Sequence, residues 1–366
     1  GLGATWWDYD NDGWTDLYVA NDFLLQDQLY HNNGDGSFTD VAKSALPHTP
    51  WSSMGCDVAD INNDGRIDLM GADMSAVSHY RQKVTMGDMG SQAWFLEWGE
   101  PRQYMRNAMY LNTGTGRFME AAQMLGIDKT DWSWAVKFAD LDQDGRVDLF
   151  VTNGMVRDWE NADVVAQGNA LGGDLSVRGR AFWLSQAPNR RKNLAYRNGG
   201  DLRFESVGER WGLDHEAVSF GAAWGDLDND GHIDLFVGNF SHAPAYQDRC
   251  KFYRNLGPEG DFGFADLSGE VDFRWQESYA SPALGDVDGQ SLGLVVGDLL
   301  GTGEGNGLGL IEGIADGDML GANEGDALGI IEGIADGDML GANEGDTLGL
   351  DEGIADGIAL GCFVGH

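Results

Sequence analysis

One nine-residue pattern, D-x-[DN]-x-D-G-x-x-D, constrains this chain more than anything else in it. It occurs four times, as DYDNDGWTD from Asp8, DINNDGRID from Asp60, DLDQDGRVD from Asp140 and DLDNDGHID from Asp226. So many carboxylates in so short a stretch repel one another unless a cation sits among them. Positions 1, 3 and 5 offer converging side-chain oxygens: Asp8, Asp10 and Asp12; Asp60, Asn62 and Asp64; Asp140, Asp142 and Asp144; Asp226, Asp228 and Asp230. The backbone carbonyl at position 7 (Trp14, Arg66, Arg146, His232) joins them. The carboxylate at position 9 (Asp16, Asp68, Asp148, Asp234) closes the set. Glycine at position 6 permits the positive φ that the curl needs. An all-oxygen, carboxylate-rich, flexible loop suits Ca²⁺ better than the geometrically stricter Mg²⁺. Four calcium sites are expected, pinning structure rather than sensing or catalysing.

An EF-hand opens the same way but needs a Glu at position 12 and helices on both sides. Position 12 here is Val19, Gly71, Val151 and Val237. The segments after the loops, DLYVAN, DLMGAD, DLFVTN and DLFVGN, are short and apolar and read as strands. Each loop is therefore expected to join two strands of a hairpin. An Asp/Asn/Gly turn that binds nothing is the plain alternative, and the fourfold recurrence of one ligand spacing argues against it.

A second signature follows each loop: LYHNNGDGSFTDVA from Leu29, MYLNTGTGRFMEAA from Met109, AYRNGGDLRFESVG from Ala195 and FYRNLGPEGDFGFADLS from Phe252. Each reads as a strand, an Asn/Gly turn and a strand opening at Phe38, Phe118, Phe204 or Phe264. Two hairpins per repeat make a four-stranded blade, so the predicted class is all-β, a β-propeller. With Asp286 as a fifth start, the loops open 52, 80, 86 and 60 residues apart. Blades usually take about 40–50 residues, so insertions are predicted at about 75–106 and 154–192. Both mix Trp, Arg and acids, and long loops on a rigid scaffold are where recognition usually resides. Alternatively Trp94, Trp98, Trp159 and Trp183 pack the insertions onto their blades.

The pairing of DYDNDGWTDLYVAN with LYHNNGDGSFTDVA resembles FG-GAP/VCBS-repeat proteins, calcium-loop propellers related to integrin α-subunits. CDVADINNDGRIDLMGADMS, EPRQYMRNAMYLNTGTGRFMEAA and VKFADLDQDGRVDLFVTNGM are similar more specifically to the cartilage-acidic-protein type, often followed by an ASPIC/UnbV domain. The resemblance spans about Gly1 to Asp288, with no ASPIC/UnbV-like segment after it. It implies a secreted, periplasmic or cell-surface module with structural calcium, used for adhesion or recognition.

The first loop opens so close to Gly1 that the lead-in strands of its blade are expected to be mostly missing, with no signal peptide ahead of them. Integrin-like propellers have seven blades, so the chain reads as a fragment of four to five. The propeller region is placed at 1–290. The fifth start keeps Asp286 and Asp288, then loses its ligands at Gln290, Ser291 and Leu294. Residues 291–366 read as an acidic, Gly-rich low-complexity tail: from Gly285 to Gly365 a glycine falls at every fourth residue, and no Lys or Arg follows Arg274. That glycine density opposes a helix, and the recurring acids oppose a membrane span. Disorder is the expectation.

A net charge of -37 excludes nucleic-acid binding, which needs basic surfaces, and no membrane insertion is expected. Cys56, Cys250 and Cys362 form no disulfide framework and no C-x-x-C. The seven His residues stand in no metal spacing, and no nucleophile elbow or P-loop is present. The leading expectation is thus a non-enzymatic Ca²⁺-stabilised propeller presenting loops to a protein or glycan partner. The competing one is a hydrolytic, carbohydrate-active propeller using Glu97, Glu100, Asp158 or Glu160 of the insertions.

Overall fold

The computed structural model describes residues 1–85, 99–159, 161–173, 176–242, 246–269, 282–285 and 293–296. Four antiparallel sheets follow one another along the chain, each with its strands in sequence order. The first comprises Gly3–Trp7, Asp16–Ala20, Gln28–Asn32 and Phe38–Asp40. The second comprises Ser53–Ala59, Asp68–Ser75, Ala108–Asn112 and Phe118–Glu120. The third comprises Asp131–Ala139, Asp148–Asn153, Leu194–Asn198 and Phe204–Ser206. The fourth comprises Ser219–Gly225, Asp234–Asn239, Lys251–Asn255 and Phe264–Asp266. A further pair, Pro282–Gly285 with Gly293–Val296, follows. The second and third sheets are also joined at Asp131↔Ser75 and Trp132↔Met74.

One expectation is corrected here. The first sheet does not lack its lead-in strand, because Gly3–Trp7 pairs along its whole length with Asp16–Ala20. A few residues suffice, since the strand is only five long.

Among the described residues each sheet packs face to face on the next, with one large core between each successive pair and a smaller cluster of Met54, Met74 and Trp132 beside them. Trp7, Tyr18 and Leu29 of the first sheet meet Leu69, Tyr110 and Phe118 of the second. Met70 and Met109 on the far face of the second sheet meet Leu149 and Val151 of the third. Phe150 and Ala195 then turn to Leu235, Val237 and Tyr253 of the fourth. Side chains alternate across a strand, so neighbours such as Leu69 and Met70 enter different cores. That is why DLFVTN and DLFVGN are apolar without alternation: every residue in Asp148–Asn153 and Asp234–Asn239 is buried. In Asp16–Ala20 burial alternates instead, and Trp6 and Phe38 stay 57% and 44% exposed on the uncovered face. This stacking is propeller-like.

The all-β expectation is corrected to mostly β with short helices. Single helical turns at Ala42–Ala45, Ala122–Leu125 and Gly208–Trp211 follow the fourth strand of the first three sheets. They plug the cores with Ala45, Leu125 and Trp211, all buried. His79–Val84 lies between the second and third strands of the second sheet, and Ala162–Ala170 and Val177–Ser185 lie at the same place in the third. Their N-termini are capped by Ser78, Asn161 and Ser176, whose side chains accept backbone N–H bonds. Trp94, Trp98, Glu97, Glu160, the fifth loop start (Asp286, Asp288) and the tail from 297 onward lie outside the described residues.

Candidate functional site: four acidic hairpin loops and the opposite face

All four nine-residue segments are the hairpin between the first and second strands of a sheet, and all four close by the same bonds. In the third, Asp140 accepts from the backbone N–H of Asp144 at 3.0 Å and of Gly145 at 2.9 Å. Asp144 accepts from Arg146 N–H at 3.0 Å. Asp148 at position 9 accepts from Leu141 N–H at 3.0 Å and, across the sheet, from Asn198 N–H at 2.8 Å. The first loop repeats this through Asp8, Asp12 and Asp16, the second through Asp60, Asp64 and Asp68. The fourth does so through Asp226, Asp230 and Asp234.

Glycine at position 6 has φ of +92°, +83°, +84° and +87° in the four loops. Position 4 is left-handed too: Asn11, Asn63, Gln143 and Asn229 have φ between +53° and +59°. A Cβ on Gly145 would meet nothing within 4 Å, so the constraint there is backbone conformation alone. Gly145→Val is expected to cost about 1–2 kcal/mol, and Gly145→Asn much less, in urea denaturation at fixed Ca²⁺.

Carboxylate oxygens lie within 4.8 Å of one another in Asp8, Asp10 and Asp16, in Asp140, Asp142 and Asp148, and in Asp226, Asp228 and Asp230. Asp10 and Asp12 make a similar group with His31. In the second loop Asn62 replaces the central carboxylate, and its Nδ2 faces Asp64 at 3.3 Å. Among the position-7 side chains, Arg66 and Arg146 pair with the position-5 carboxylates of their own loops, Asp64 and Asp144, each at 2.9 Å, and His232 reaches Gln143 Oε1 of the third loop at 3.1 Å. Only their carbonyls are suited to ligation.

Asp16, Asp68, Asp148 and Asp234 have no solvent exposure. Burial, reinforced by the neighbouring loop acids, pushes Asp68 up to about 6, Asp148 to about 7 and Asp234 to about 6. Asp16 moves in the same direction for the same first reason. A bound divalent cation would reverse that balance and favour the ionised form. The donor set fits Ca²⁺: every candidate ligand is an oxygen, and Asp142, only 8% exposed, keeps its Oδ1 buried with no hydrogen-bond partner.

Two groups of residues at this end carry no signal that loop spacing exposes. One is the asparagine ending the third strand of each sheet. Asn198 Nδ2 donates to Val147 O at 3.2 Å and to Ile61 O of the preceding sheet's loop at 2.8 Å, while its Oδ1 accepts from Gly200 N–H at 3.0 Å. Asn112 and Asn255 bridge likewise to Tyr9 O and Leu141 O. Asn63 Nδ2 to Gly145 O, at 2.8 Å, and Gln143 Nε2 to Gly231 O, at 2.6 Å, extend the belt from loop to loop. The repeated Asn of LYHN, MYLN, AYRN and FYRN was the available sign. The other group is Arg197 and Arg254, just before that Asn. Arg197 donates to Asp142 through Nε and to Asp144 through Nη2 at 2.8 Å. Arg254 donates to Asp230 through Nη2 at 2.9 Å and stands against Asp228 as an ion pair, without a hydrogen bond from its Nε.

Strand direction fixes where everything else emerges. The Asp loops and the Asn turns share one end of the sheets, so the connections from second to third strand leave at the other. The described parts of both long connections, 76–85 with 99–107 and 154–159, 161–173 and 176–193, therefore sit on the face opposite the Asp loops. They also touch one another. Arg81 Nη2 reaches Asp158 at 3.3 Å, and Thr85 bridges Asn161. Asn161 and Asn189 fill the remaining Asp158 positions at 3.0 and 3.1 Å. Trp159 stacks on Trp183, ring centroids 5.0 Å apart, and remains 43% exposed. Of the carboxylates considered for hydrolysis, Asp158 is thus tied to an arginine and two asparagines, and exposed Glu100 pairs with Lys43.

The FG-GAP-like repeat family matches residues 8–71 and 98–151. The chain carries FG-GAP-like repeats, spanning the first loop to the second and then the rest of the second sheet through the third loop. The fourth loop repeats their geometry outside the matched segments. No curated protein matches the chain.

Proposed function

We propose that the chain is a non-enzymatic, extracytoplasmic β-propeller module of the FG-GAP/VCBS cartilage-acidic type. Its acidic loops hold structural Ca²⁺, and its opposite face presents loops to a protein or glycan partner. The observation that carries this reading is the common hydrogen-bonded geometry of four loops, in three of which carboxylate oxygens converge, one of them with a buried, unpartnered Asp142 Oδ1. The separation of the acidic end from the Trp159–Trp183 stack supports it: one end rigidifies while the other is free to recognise. Each of the four sheets corresponds to one blade. An extracellular site with Kd of about 10⁻⁴–10⁻³ M suits millimolar external calcium.

Calcium titration followed by thermal unfolding tests this. Millimolar Ca²⁺ is expected to stabilise by about 1 kcal/mol per occupied site, and chelation to reverse it. Asp144→Ala is expected to remove only the third site's share. A melting curve indifferent to both chelator and Ca²⁺ would refute the metal assignment.

A further inference from the structure

The third and fourth loops already contain a cation of their own. Arg197 lays its guanidinium edge between Asp142 and Asp144, and Arg254 lays its own between Asp228 and Asp230. Both come from the third strand, one residue before the bridging asparagine, so the same register delivers each to positions 3 and 5. At that register the second sheet has Leu111, buried in the core between sheets, and the first has His31, 3.4 Å from Asp10 and 3.9 Å from Asp12. In the fourth loop position 7 is His232, turned toward Gln143, so among the described residues Arg254 is the only arginine or lysine paired with Asp228 and Asp230. The third loop has Arg146 as a second one.

We propose that Arg197 and Arg254 are built-in counter-ions, which hold the position-3 and position-5 carboxylates together without metal and thereby set how tightly the third and fourth loops bind Ca²⁺. This rests on the calcium reading above. The guanidinium acts differently in the metal-free and the metal-bound loop. In the metal-free loop the guanidinium offsets repulsion between two adjacent carboxylates, and the planar fork of Arg197 donates to both at once. Once a dication is present, the carboxylates are already neutralised and the guanidinium becomes a like charge beside it. Its contribution is therefore larger without Ca²⁺ than with it. By linkage, that difference is subtracted from the binding free energy. The oxygen left over in the third loop, Asp142 Oδ1, shows that guanidinium pairing through Oδ2 still leaves an inward donor for the metal. Arginine and cation therefore share carboxylates without excluding one another.

Arg254→Leu, in the loop with the simpler charge pattern, and Arg197→Leu test this by calorimetric Ca²⁺ titration and by melting in chelator and in millimolar Ca²⁺. Binding at the affected loop is expected to tighten about tenfold, within the usual range of coupling between neighbouring sites. The melting temperature is expected to fall in chelator and to change less in Ca²⁺, so the calcium-induced rise grows. Equal losses with and without Ca²⁺ would mean that the arginine only packs, and weaker binding would mean that it orients ligands for the metal. Either result overturns the counter-ion role while leaving the calcium sites standing. If wild type itself takes up no Ca²⁺, the calcium reading fails and this inference with it. Should Arg197→Leu fail to fold, Arg254, whose side chain is 42% exposed, still decides.

Discussion

Asn198→Ala is expected to destabilise the protein by about 3 kcal/mol, more than any single loop substitution. The asparagine is 1% exposed, and its amide serves three backbone groups at once: Val147 O, Ile61 O and Gly200 N–H. Truncation takes the side-chain partner from two carbonyls and one N–H, of which the bond to Ile61 O is the buried one. Each buried unsatisfied group costs about 1–3 kcal/mol, with the carbonyls at the lower end because each has a second lone pair. Ile61 belongs to the second sheet's loop and Asn198 to the third sheet, so part of the loss falls on the packing between sheets. Asn32→Ala provides the comparison. Asn32 Nδ2 donates only to Thr15 O of its own loop, at an exposed site, and about 1 kcal/mol is expected there. Urea denaturation of both variants at one Ca²⁺ concentration makes the measurement. Equal costs would show that the bond to the preceding sheet adds nothing.

The contrast between these two asparagines marks how far the sequence could be read. The Asp loops were legible because their role is written in side-chain identity at fixed spacing, and the hairpins because turn residues punctuate apolar runs. The bridging asparagines were quoted as turn residues, a role they do play toward Gly34, Gly114, Gly200 and Gly257. Their second role depends on which sheet stacks on which, and no single repeat contains that. Arg197 and Arg254 stand in the same position: only strand register brings them to carboxylates 53–55 residues away, or 24 residues in the case of Arg254 and Asp230. The short helices were missed for a different reason. Four-residue turns such as Ala122–Leu125 have no room to show a period of 3.6, and burial of Leu125 against neighbouring sheets holds them. The capping residues Asn161 and Ser176 were readable in principle, but a region marked as an insertion drew attention to its tryptophans instead.

At the end of the sheets away from the loops, stability is expected to fall as pH rises from about 5 to 8, and Asp27→Asn is expected to abolish most of that fall. Asp27 is 1% exposed. Burial pushes its carboxyl up to about 7, against bonds from Asn21 N–H and the Tyr18 hydroxyl that favour the charged form, with nearby Asp73 raising it further. An acid whose folded pKa lies above its unfolded value binds more protons when folded, so its stabilising effect is present at low pH and is lost as pH rises through the interval between the two. Here that interval runs from the ordinary 3.8 to about 7, a displacement worth up to about 4 kcal/mol by pH 8. Asparagine is the natural substitute because the repeat already uses it. Five residues before Asn32, Asn112 and Asn198 stand Asp27, Asn107 and Asn193, and each accepts from a backbone N–H at or near the end of the second strand. Those bonds are Asn21 N–H to Asp27 at 2.8 Å, Asp73 N–H to Asn107 at 2.8 Å and Asn153 N–H to Asn193 at 2.9 Å. Asn193 spends its Nδ2 on Ser219 Oγ, at 3.0 Å, on the first strand of the next sheet, and an asparagine at 27 has Ser53 in the corresponding place. The Tyr18 hydroxyl loses its carboxylate acceptor but has Tyr110 beside it. Wild type and Asp27→Asn are therefore expected to be most alike near pH 4, where Asp27 is neutral in the folded state and only partly ionised in the unfolded one, the variant gaining through pH 5 and being clearly the more stable near pH 8. Denaturation is best run in saturating Ca²⁺, which keeps the loop carboxylates ionised throughout and removes their titration from the comparison. Asp73, pushed up to about 6 by its own burial, leaves a smaller residual slope in the variant. Parallel stability–pH curves for the two proteins would show that Asp27 is ionised in the folded state across the whole range, held so by Tyr18 and Asn21 despite its burial.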